Sequence, residues 1–104
     1  MNDELIEIKV LSIETKGKVI TCIAFFNANQ ITFRLEICCT EISSKALIEV
    51  ITANPKIITD VVQDLGNWTT ENIEGGKQYK LNIAKEFIFG DKIVFFIFSA
   101  TITI

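Results

Sequence analysis

The segment "DKIVFFIFSATITI", Asp91–Ile104, decides the fold of this chain, because from Ile93 onward it contains no charged residue. A membrane-spanning helix needs about 20 apolar residues, whereas this run is shorter and is interrupted by Ser99, Thr101 and Thr103. Its many β-branched and aromatic residues favour a strand over a helix. An apolar run without alternation is typical of a strand that is buried on both faces. The segment therefore predicts an interior strand, and we expect no membrane association.

Two arrangements would cover both faces of such a strand. In the first, a helix layer of the same chain covers one face and another apolar layer of the chain covers the other. In the second, a homodimer partner covers one face, since an uncovered strand of this kind would promote aggregation. We expect the first arrangement, in which the chain itself covers both faces, and the homodimer is the alternative.

Three strands are predicted in the first forty residues, joined by turns at Thr15–Lys18 ("TKGK") and Asn27–Gln30 ("NANQ"). The first strand, "LIEIKVLSIE", alternates and places Ile6, Ile8 and Val10 on one face. The third strand, "ITFRLEICCT", has the most regular alternation in the chain. Its inward-facing residues would be Ile31, Phe33, Leu35, Ile37 and Cys39.

The middle of the chain, Ser43–Leu65, can be interpreted as helix or as strand. In the helical interpretation Ser43 or Ser44 caps a short helix, which must stop near Asn54 because the residue before a proline avoids the helical region. A second helix then begins with Pro55 at its first position and ends at Gly66. Its apolar stripe would consist of Ile57, Ile58, Val61, Val62 and Leu65. In the other interpretation the β-branched residues form strands, which gives a seven-stranded all-β sandwich.

The remaining segments predict a loop followed by a C-terminal hairpin. The loop "NWTTENIEGGKQ" turns at Gly75–Gly76, the strand "YKLNIAKEFIF" follows it, and a tight turn at Gly90–Lys92 leads into the final strand. We therefore predict a single domain spanning residues 1–104, of the α+β class. Its antiparallel sheet would have about five strands, built from the N-terminal meander and the C-terminal hairpin, with one or two short helices in the middle. The seven-stranded sandwich is the alternative.

The chemistry available to this chain is narrow, because the sequence contains no histidine. Ser-His-Asp and Cys-His catalysis are therefore impossible within the chain, as is any zinc site with a histidine ligand. The three cysteines do not supply a zinc site either, because Cys38 and Cys39 are adjacent and lack the usual Cys-x2–4-Cys spacing. A hydrolase using Asp60 and Asp64, which are one helical turn apart, is the least favoured hypothesis. We expect no enzymatic activity, no metal and no cofactor.

Charge and cysteine content give the expected location and exclude one class of partner. The net charge is −3, and the nine lysines and one arginine are scattered, so we expect no nucleic-acid partner. The N-terminus is acidic and lacks the pattern of a secretory signal. Three cysteines cannot all pair within the chain, and free thiols at Cys22, Cys38 and Cys39 are typical of a reducing cytoplasm. A cytosolic protein is therefore expected.

One segment carries a candidate partner-binding surface. Between Asp60 and Glu74 there are four acidic residues and no basic residue, with Trp68 near the middle. An aromatic ring surrounded by carboxylates suits a basic partner, because the ring anchors the contact and the acidic groups steer the approach. We call Asp60, Asp64, Trp68, Glu71 and Glu74 the acidic surface. The alternative is that Trp68 packs on the core and the acidic residues are only solvated.

These observations lead to two functional hypotheses. The first is a small cytosolic non-enzymatic binding protein, of the kind that immunity proteins and antitoxins represent, which uses the acidic surface to occlude a basic macromolecular partner. The second is a homo-oligomeric structural subunit, for example a phage-like accessory subunit, whose terminal strand completes an intermolecular sheet. No motif in the sequence identifies the partner in either hypothesis.

Overall fold

The computed structural model describes residues 7–16, 19–26 and 28–104 of the chain. Its described part contains two helices and six strands, so the predicted α+β class is confirmed. The strands are β1 (Ile8–Lys16), β2 (Val19–Phe26), β3 (Asn29–Cys38), β4 (Trp68–Ile73), β5 (Gly76–Phe89) and β6 (Lys92–Thr103). The helices are α1 (Ser44–Ala53) and α2 (Lys56–Gln63), and a single 3-10 turn spans Leu65–Asn67.

All six strands form one sheet in the order β1-β2-β3-β6-β5-β4, and every neighbouring pair is antiparallel. Two three-stranded meanders are therefore joined between β3 and β6. This junction is short, because only Glu36–Cys38 pair with Ile97–Ser99. By contrast, β5 and β6 pair continuously from Gln78 to Phe89. The C-terminal hairpin therefore extends well past the end of β3.

The predicted N-terminal meander is confirmed in the described residues. Phe33 and Leu35 are buried as the alternation of β3 predicts, while Ile6 and the turn residues Gly17, Lys18 and Asn27 lie outside the described residues. Two local features were not predicted. A register shift between Val10 and Ser12 interrupts the pairing of β1 with β2, and Ala28 adopts φ 72° in the turn between β2 and β3.

The middle segment is helical, so the alternative of a seven-stranded sandwich is wrong. Ser43 caps α1 as predicted, since its Oγ accepts a hydrogen bond from the Ala46 N–H at 3.1 Å. The chain then breaks at Asn54, as expected for the residue before a proline, and α2 begins immediately after Pro55. The second helix ends at Gln63, earlier than predicted, because Asp64 is already extended and caps the 3-10 turn instead.

The predicted loop before β5 contains a strand, β4, so the sheet has six strands where about five were predicted. Trp68–Ile73 pair with residues 76–81 of β5 across a turn in which Gly75 has φ 88°. Four of the six β4 residues are exposed, which places this polar strand at the edge of the sheet. Its alternation was not visible because neither face carries a regular apolar series.

The sheet curls around its helix-covered face. In a flat sheet β2 and β5 would lie about 14 Å apart, because β3 and β6 separate them. The rings of Phe26 on β2 and Tyr79 on β5 nevertheless meet with centroids 4.7 Å apart. The buried cluster fills this concave side and includes Ile51 of α1 and Ile58, Val61 and Val62 of α2. The helices therefore cover one face of the sheet only.

The final strand, β6, is covered on one face, and the prediction that the chain itself buries both faces is wrong. Its side chains alternate: Val94, Phe96 and Phe98 are fully buried, whereas Ile93, Phe95 and Ile97 are exposed on the opposite face, which we call the open face of the sheet. Period-2 alternation was hidden because both faces carry apolar residues in this stretch.

In the described part of the chain, no helix has the length and apolar character needed to cross a membrane.

Candidate functional site

The two aspartates of the acidic surface have local structural roles on the helix side of the molecule. The Asp60 carboxylate pairs with the Lys56 ammonium one turn earlier on α2, at 3.0 Å. Both groups are well exposed, and such pairs stabilise a helix by only about 0.3–0.5 kcal/mol. Asp64 accepts a hydrogen bond from the Gly66 N–H at 3.0 Å and caps the 3-10 turn. The negative charge of Asp60 is therefore partly compensated by its neighbour.

Trp68 packs on the core rather than standing free on the surface. Its indole N–H donates a hydrogen bond to the Val62 carbonyl at 2.9 Å, which ties β4 to the end of α2. The indole also meets the rings of Phe26 and Phe33 edge to face, with centroid distances of 6.2 and 6.0 Å. These contacts fix the half-buried ring against the curled sheet, so its first role is structural.

The acidic surface is divided between the two faces of the sheet. Glu71 lies three residues after Trp68 on β4, and side chains at an odd spacing along a strand point to opposite faces. The Glu71 carboxylate accordingly lies 3.5 Å from the Lys80 ammonium of β5. Glu74 is exposed at the turn that follows β4. The sheet therefore separates Glu71 from the indole of Trp68 and does not gather the five residues around one central ring.

Among the described residues, the largest apolar exposure lies elsewhere, on the open face of the β5–β6 hairpin. We call Ile88, Ile93, Phe95 and Ile97 the hairpin surface; they are 80, 58, 45 and 45 % exposed. Ile88 pairs directly with Ile93, and the β6 residues follow at intervals of two, so the four side chains are contiguous. Together they expose apolar area of the order of 400 Å², comparable to the largest patch on a typical monomer, which is often functional.

The edge of β6 beside the hairpin surface is already occupied. Because β3 pairs no further than Cys38 with Ile97, the backbone of Phe95 has no partner strand on that side. The Glu41 carboxylate accepts the Phe95 N–H at 3.5 Å and the Cys39 S–H at 3.3 Å. A charged side chain over an unpaired edge is a common way to prevent strand addition. The face of the hairpin is therefore more accessible to a partner than its edge, where the Glu41 side chain blocks the addition of another strand.

The three thiols occupy different environments. Cys22 is fully buried on β2, and burial raises the pKa of its thiol to about 11 from 9.0. Burial also raises the pKa of Cys39, whose thiol is partly covered. Cys38 is exposed on the open face, opposite Ile97. All three cysteines are free thiols.

We predict that the thiols of the folded protein react with iodoacetamide in the order Cys38, Cys39, Cys22, because Cys38 is exposed, Cys39 is partly covered and Cys22 is buried. The raised pKa of Cys22 also lowers the fraction of its reactive thiolate form. The buried Cys22 contributes stability that is fully present below pH 9, since its folded pKa lies above its unfolded one, and that is lost as the pH rises toward 11. Cys22 labelling should therefore increase sharply above pH 9. Peptide mass mapping after timed labelling measures all three rates, and equal rates for Cys22 and Cys38 at pH 8 would contradict this assignment.

Among the described residues, no group of three or more cysteine, aspartate and glutamate side chains is placed to hold a metal ion. Comparison of the chain with protein-family models, with curated proteins and with solved structures gave no match. The functional assignment must therefore come from the surfaces of the molecule itself.

Proposed function

We propose that this chain is a non-enzymatic binding protein that works as a subunit of a homo-oligomer, with the hairpin surface as its contact. The observation that carries the proposal is the exposure of four contiguous large apolar residues on the open face of β5 and β6. A helix layer covers the other face of the same strands, so this apolar surface is not an unfinished core. The lack of histidine in the sequence supports a role in binding rather than catalysis.

A second copy of the chain is the occupant that best suits this surface. Homodimer interfaces are more apolar than those between different proteins, and their centres are depleted of charge. The row on β6 fits this description, because Ile93, Phe95 and Ile97 follow one another on the open face without a charged residue between them. Glu86 of β5, which pairs with Phe95, places one carboxylate beside this row. A row of similar side chains on two strands also matches itself across a two-fold axis, as an isologous contact requires.

The area of the surface fits a dimer whose apolar centre has a polar rim. A stable interface buries about 800 Å² on each partner. The hairpin surface supplies roughly half of this, and the neighbouring residues of β5 and β6 supply the rest. Two open faces would stack about 10 Å apart, in the manner of a β-sandwich. The β6 edges beside Glu41 would make no hydrogen bonds to the partner's strands. This differs from an intermolecular sheet, since β6 would meet its partner through side chains.

Light scattering after size-exclusion chromatography tests the proposal. We expect a mass of twice the 11.7 kDa of one chain at high protein concentration, falling toward 11.7 kDa on dilution. A mass of 11.7 kDa at every concentration would contradict the proposal of a homo-oligomer.

The inhibitor of a basic partner is a second candidate, and it has one supporting observation. The carboxylates of Asp60 and Glu71 remain 61 and 62 % exposed in spite of their lysine partners, and Glu74 is exposed at a turn. In this candidate the acidic groups act by steering a basic protein, without Trp68 as an anchor. A cytosolic location and the absence of a nucleic-acid partner stay predictions for both candidates.

Charge reversal separates the two candidates. We predict for the inhibitor that changing Asp60, Glu71 and Glu74 to lysine abolishes recovery of a basic partner from the native host, while Phe95→Thr leaves it intact. Asp64 is kept, because it caps the 3-10 turn and its loss would perturb the fold. Quantitative mass spectrometry of the captured proteins is the measurement, and undiminished recovery by the triple variant would discard the acidic residues as a binding surface.

A further inference from the structure

A groove of about 470 Å³ lies on the open face, where β3 and β6 part. The pairing of these strands stops at Glu36 with Ser99, although the same register would place Arg34 opposite Thr101. The walls carry six polar side chains from three strands: Arg34 and Glu36, Lys80 and Asn82, Ser99 and Thr101. The groove therefore differs in character from the apolar hairpin surface on the same face.

The backbone of β6 adds a hydrogen-bond donor to this groove. Lys77 and Ile104 each donate a backbone hydrogen bond to the carbonyl of the other. Because hydrogen-bonded and non-hydrogen-bonded pairs alternate along two antiparallel strands, every second β6 residue from Thr103 back to Ile93 directs its N–H group away from β5. The Phe95 N–H, which reaches Glu41, follows this pattern. Because no β3 residue pairs with Thr101, its N–H points into the groove.

The polar groups form two rows across the strands. Thr101 pairs with Lys80 and faces Arg34 across the groove. The first row therefore contains the Arg34 guanidinium, the hydroxyl and backbone N–H of Thr101, and the Lys80 ammonium. Among the described residues, Arg34 makes no ion pair and the Lys80 ammonium pairs with Glu71 alone, at 3.5 Å. This row is rich in hydrogen-bond donors and carries positive charge.

The second row lies two residues along the strands, about 7 Å away. Here Ser99 pairs with Glu36 on one side and with Asn82 on the other. The Glu36 carboxylate accepts hydrogen bonds from the hydroxyl groups of a ligand, whereas the Ser99 hydroxyl and the Asn82 amide both donate and accept them. Glu36 would repel an anion placed directly on this row, so the two rows suit different parts of one ligand.

We propose that the groove binds a phosphorylated polyol of sugar-phosphate size. The phosphate lies on the row of Arg34, Thr101 and Lys80, where a guanidinium binds two phosphate oxygens at once. The sugar hydroxyls lie on the row of Glu36, Ser99 and Asn82. The volume is within the range of small-molecule sites, about 300–1,000 Å³. None of the six groove residues belongs to the hairpin surface, and the groove is open in the single chain. Stacking of two open faces would restrict access to it, so the ligand is expected to bind the single chain.

Amide chemical-shift titration of the ¹⁵N-labelled protein tests the site with ribose 5-phosphate, inorganic phosphate and ribose as probes. Ribose 5-phosphate should shift amides of residues 34–36, 80–82 and 99–101 and bind at least about tenfold more tightly than phosphate, with ribose weaker than both. Titrating the Phe95→Thr variant in parallel keeps the result independent of dimer formation. Shifts scattered over the surface, or none at millimolar probe, would overturn the proposal.

Three variants assign the rows. Arg34→Gln should weaken ribose 5-phosphate binding at least about tenfold, whereas Lys85→Gln, on the same sheet but outside the groove, should not. Glu36→Gln should weaken ribose 5-phosphate but not inorganic phosphate, because the carboxylate contacts hydroxyls only. Equal affinities for phosphate and ribose 5-phosphate, or an Arg34→Gln variant that binds like the wild type, would contradict the two-row site.

Discussion

Replacing Phe95 with threonine should weaken self-association of this protein at least about 30-fold, which corresponds to the 2 kcal/mol or more that a central aromatic contributes to an interface. Phe95 lies in the middle of the hairpin surface, between Ile93 and Ile97 along β6. Its ring is 45 % exposed in the single chain and would be buried by a second copy. Threonine favours strands, so the fold should be retained. Sedimentation equilibrium of the two proteins gives the dissociation constants.

Phe25→Thr provides a matched control for this prediction. Phe25 is 39 % exposed and projects from the same open face, but it lies at the far end of β2, where it pairs with Gln30. The same change there should leave the dissociation constant within about threefold of the wild type, as expected for a residue outside the contact. If Phe25→Thr dissociates the oligomer and Phe95→Thr does not, the contact lies on the N-terminal meander and the hairpin surface is not the interface.

Phe98→Ala should destabilise the fold by about 3–5 kcal/mol, the cost of removing a fully buried phenylalanine. Phe98 has no exposed surface, pairs with Ile37 and Ile83 on its two neighbouring strands, and lies 6.4 Å from the ring of Phe96. It is also the central residue of the short junction between β3 and β6. A cavity there weakens the contact that joins the two meanders.

Urea denaturation followed by circular dichroism measures this effect, with Phe95→Thr as the background so that dimer dissociation does not contribute. A loss of 3–5 kcal/mol corresponds to a fall in melting temperature of roughly 15–30 °C for a domain of this size. Phe25→Ala, at an exposed position, should cost less than about 1 kcal/mol. Equal losses for the two alanine variants would show that Phe98 is not packed as described.

The elements with regular patterns and strong terminators could be predicted from the sequence. In β3 charged and apolar residues alternate, and burial of Phe33 and Leu35 follows directly. For α2, Pro55 fixes the start and the stripe of Ile58, Val61 and Val62 fixes the buried side. In each case local chemistry and tertiary contacts favour the same structure, which is why a local pattern was sufficient.

The order of the strands and the faces of β6 could not be predicted, since they depend on partners distant in sequence. The pairing of β3 with β6 joins residues about sixty positions apart, and no local signal specifies it. The edge strand β4 carries polar residues on both faces and resembles a loop. In β6 the exposed Ile93 and Phe95 have the same character as the buried Val94 and Phe96, so the alternation becomes visible only in the structure.

The candidate sites, like the fold, could be predicted from the sequence only in part. The carboxylates of the acidic surface are exposed as expected, but the hydrogen bond from the Trp68 indole to the Val62 carbonyl depends on how β4 meets α2. The groove could not be foreseen, because Arg34, Lys80 and Thr101 are brought together only by the sheet order. The one available signal for the hairpin surface was the length of the apolar run in β6. It indicated that something covers both faces of the strand, but not whether this is the chain itself or a second copy.

Intermolecular nuclear Overhauser effects in a mixed sample, half isotope-labelled and half unlabelled, test most directly whether the hairpin surface contacts a second copy. We predict cross-peaks between the Phe95 ring of one copy and the methyl groups of Ile93, Ile97 or Ile88 of the other. Cross-peaks confined to another surface, or a mixed sample at high concentration with none at all, would contradict the homo-oligomer.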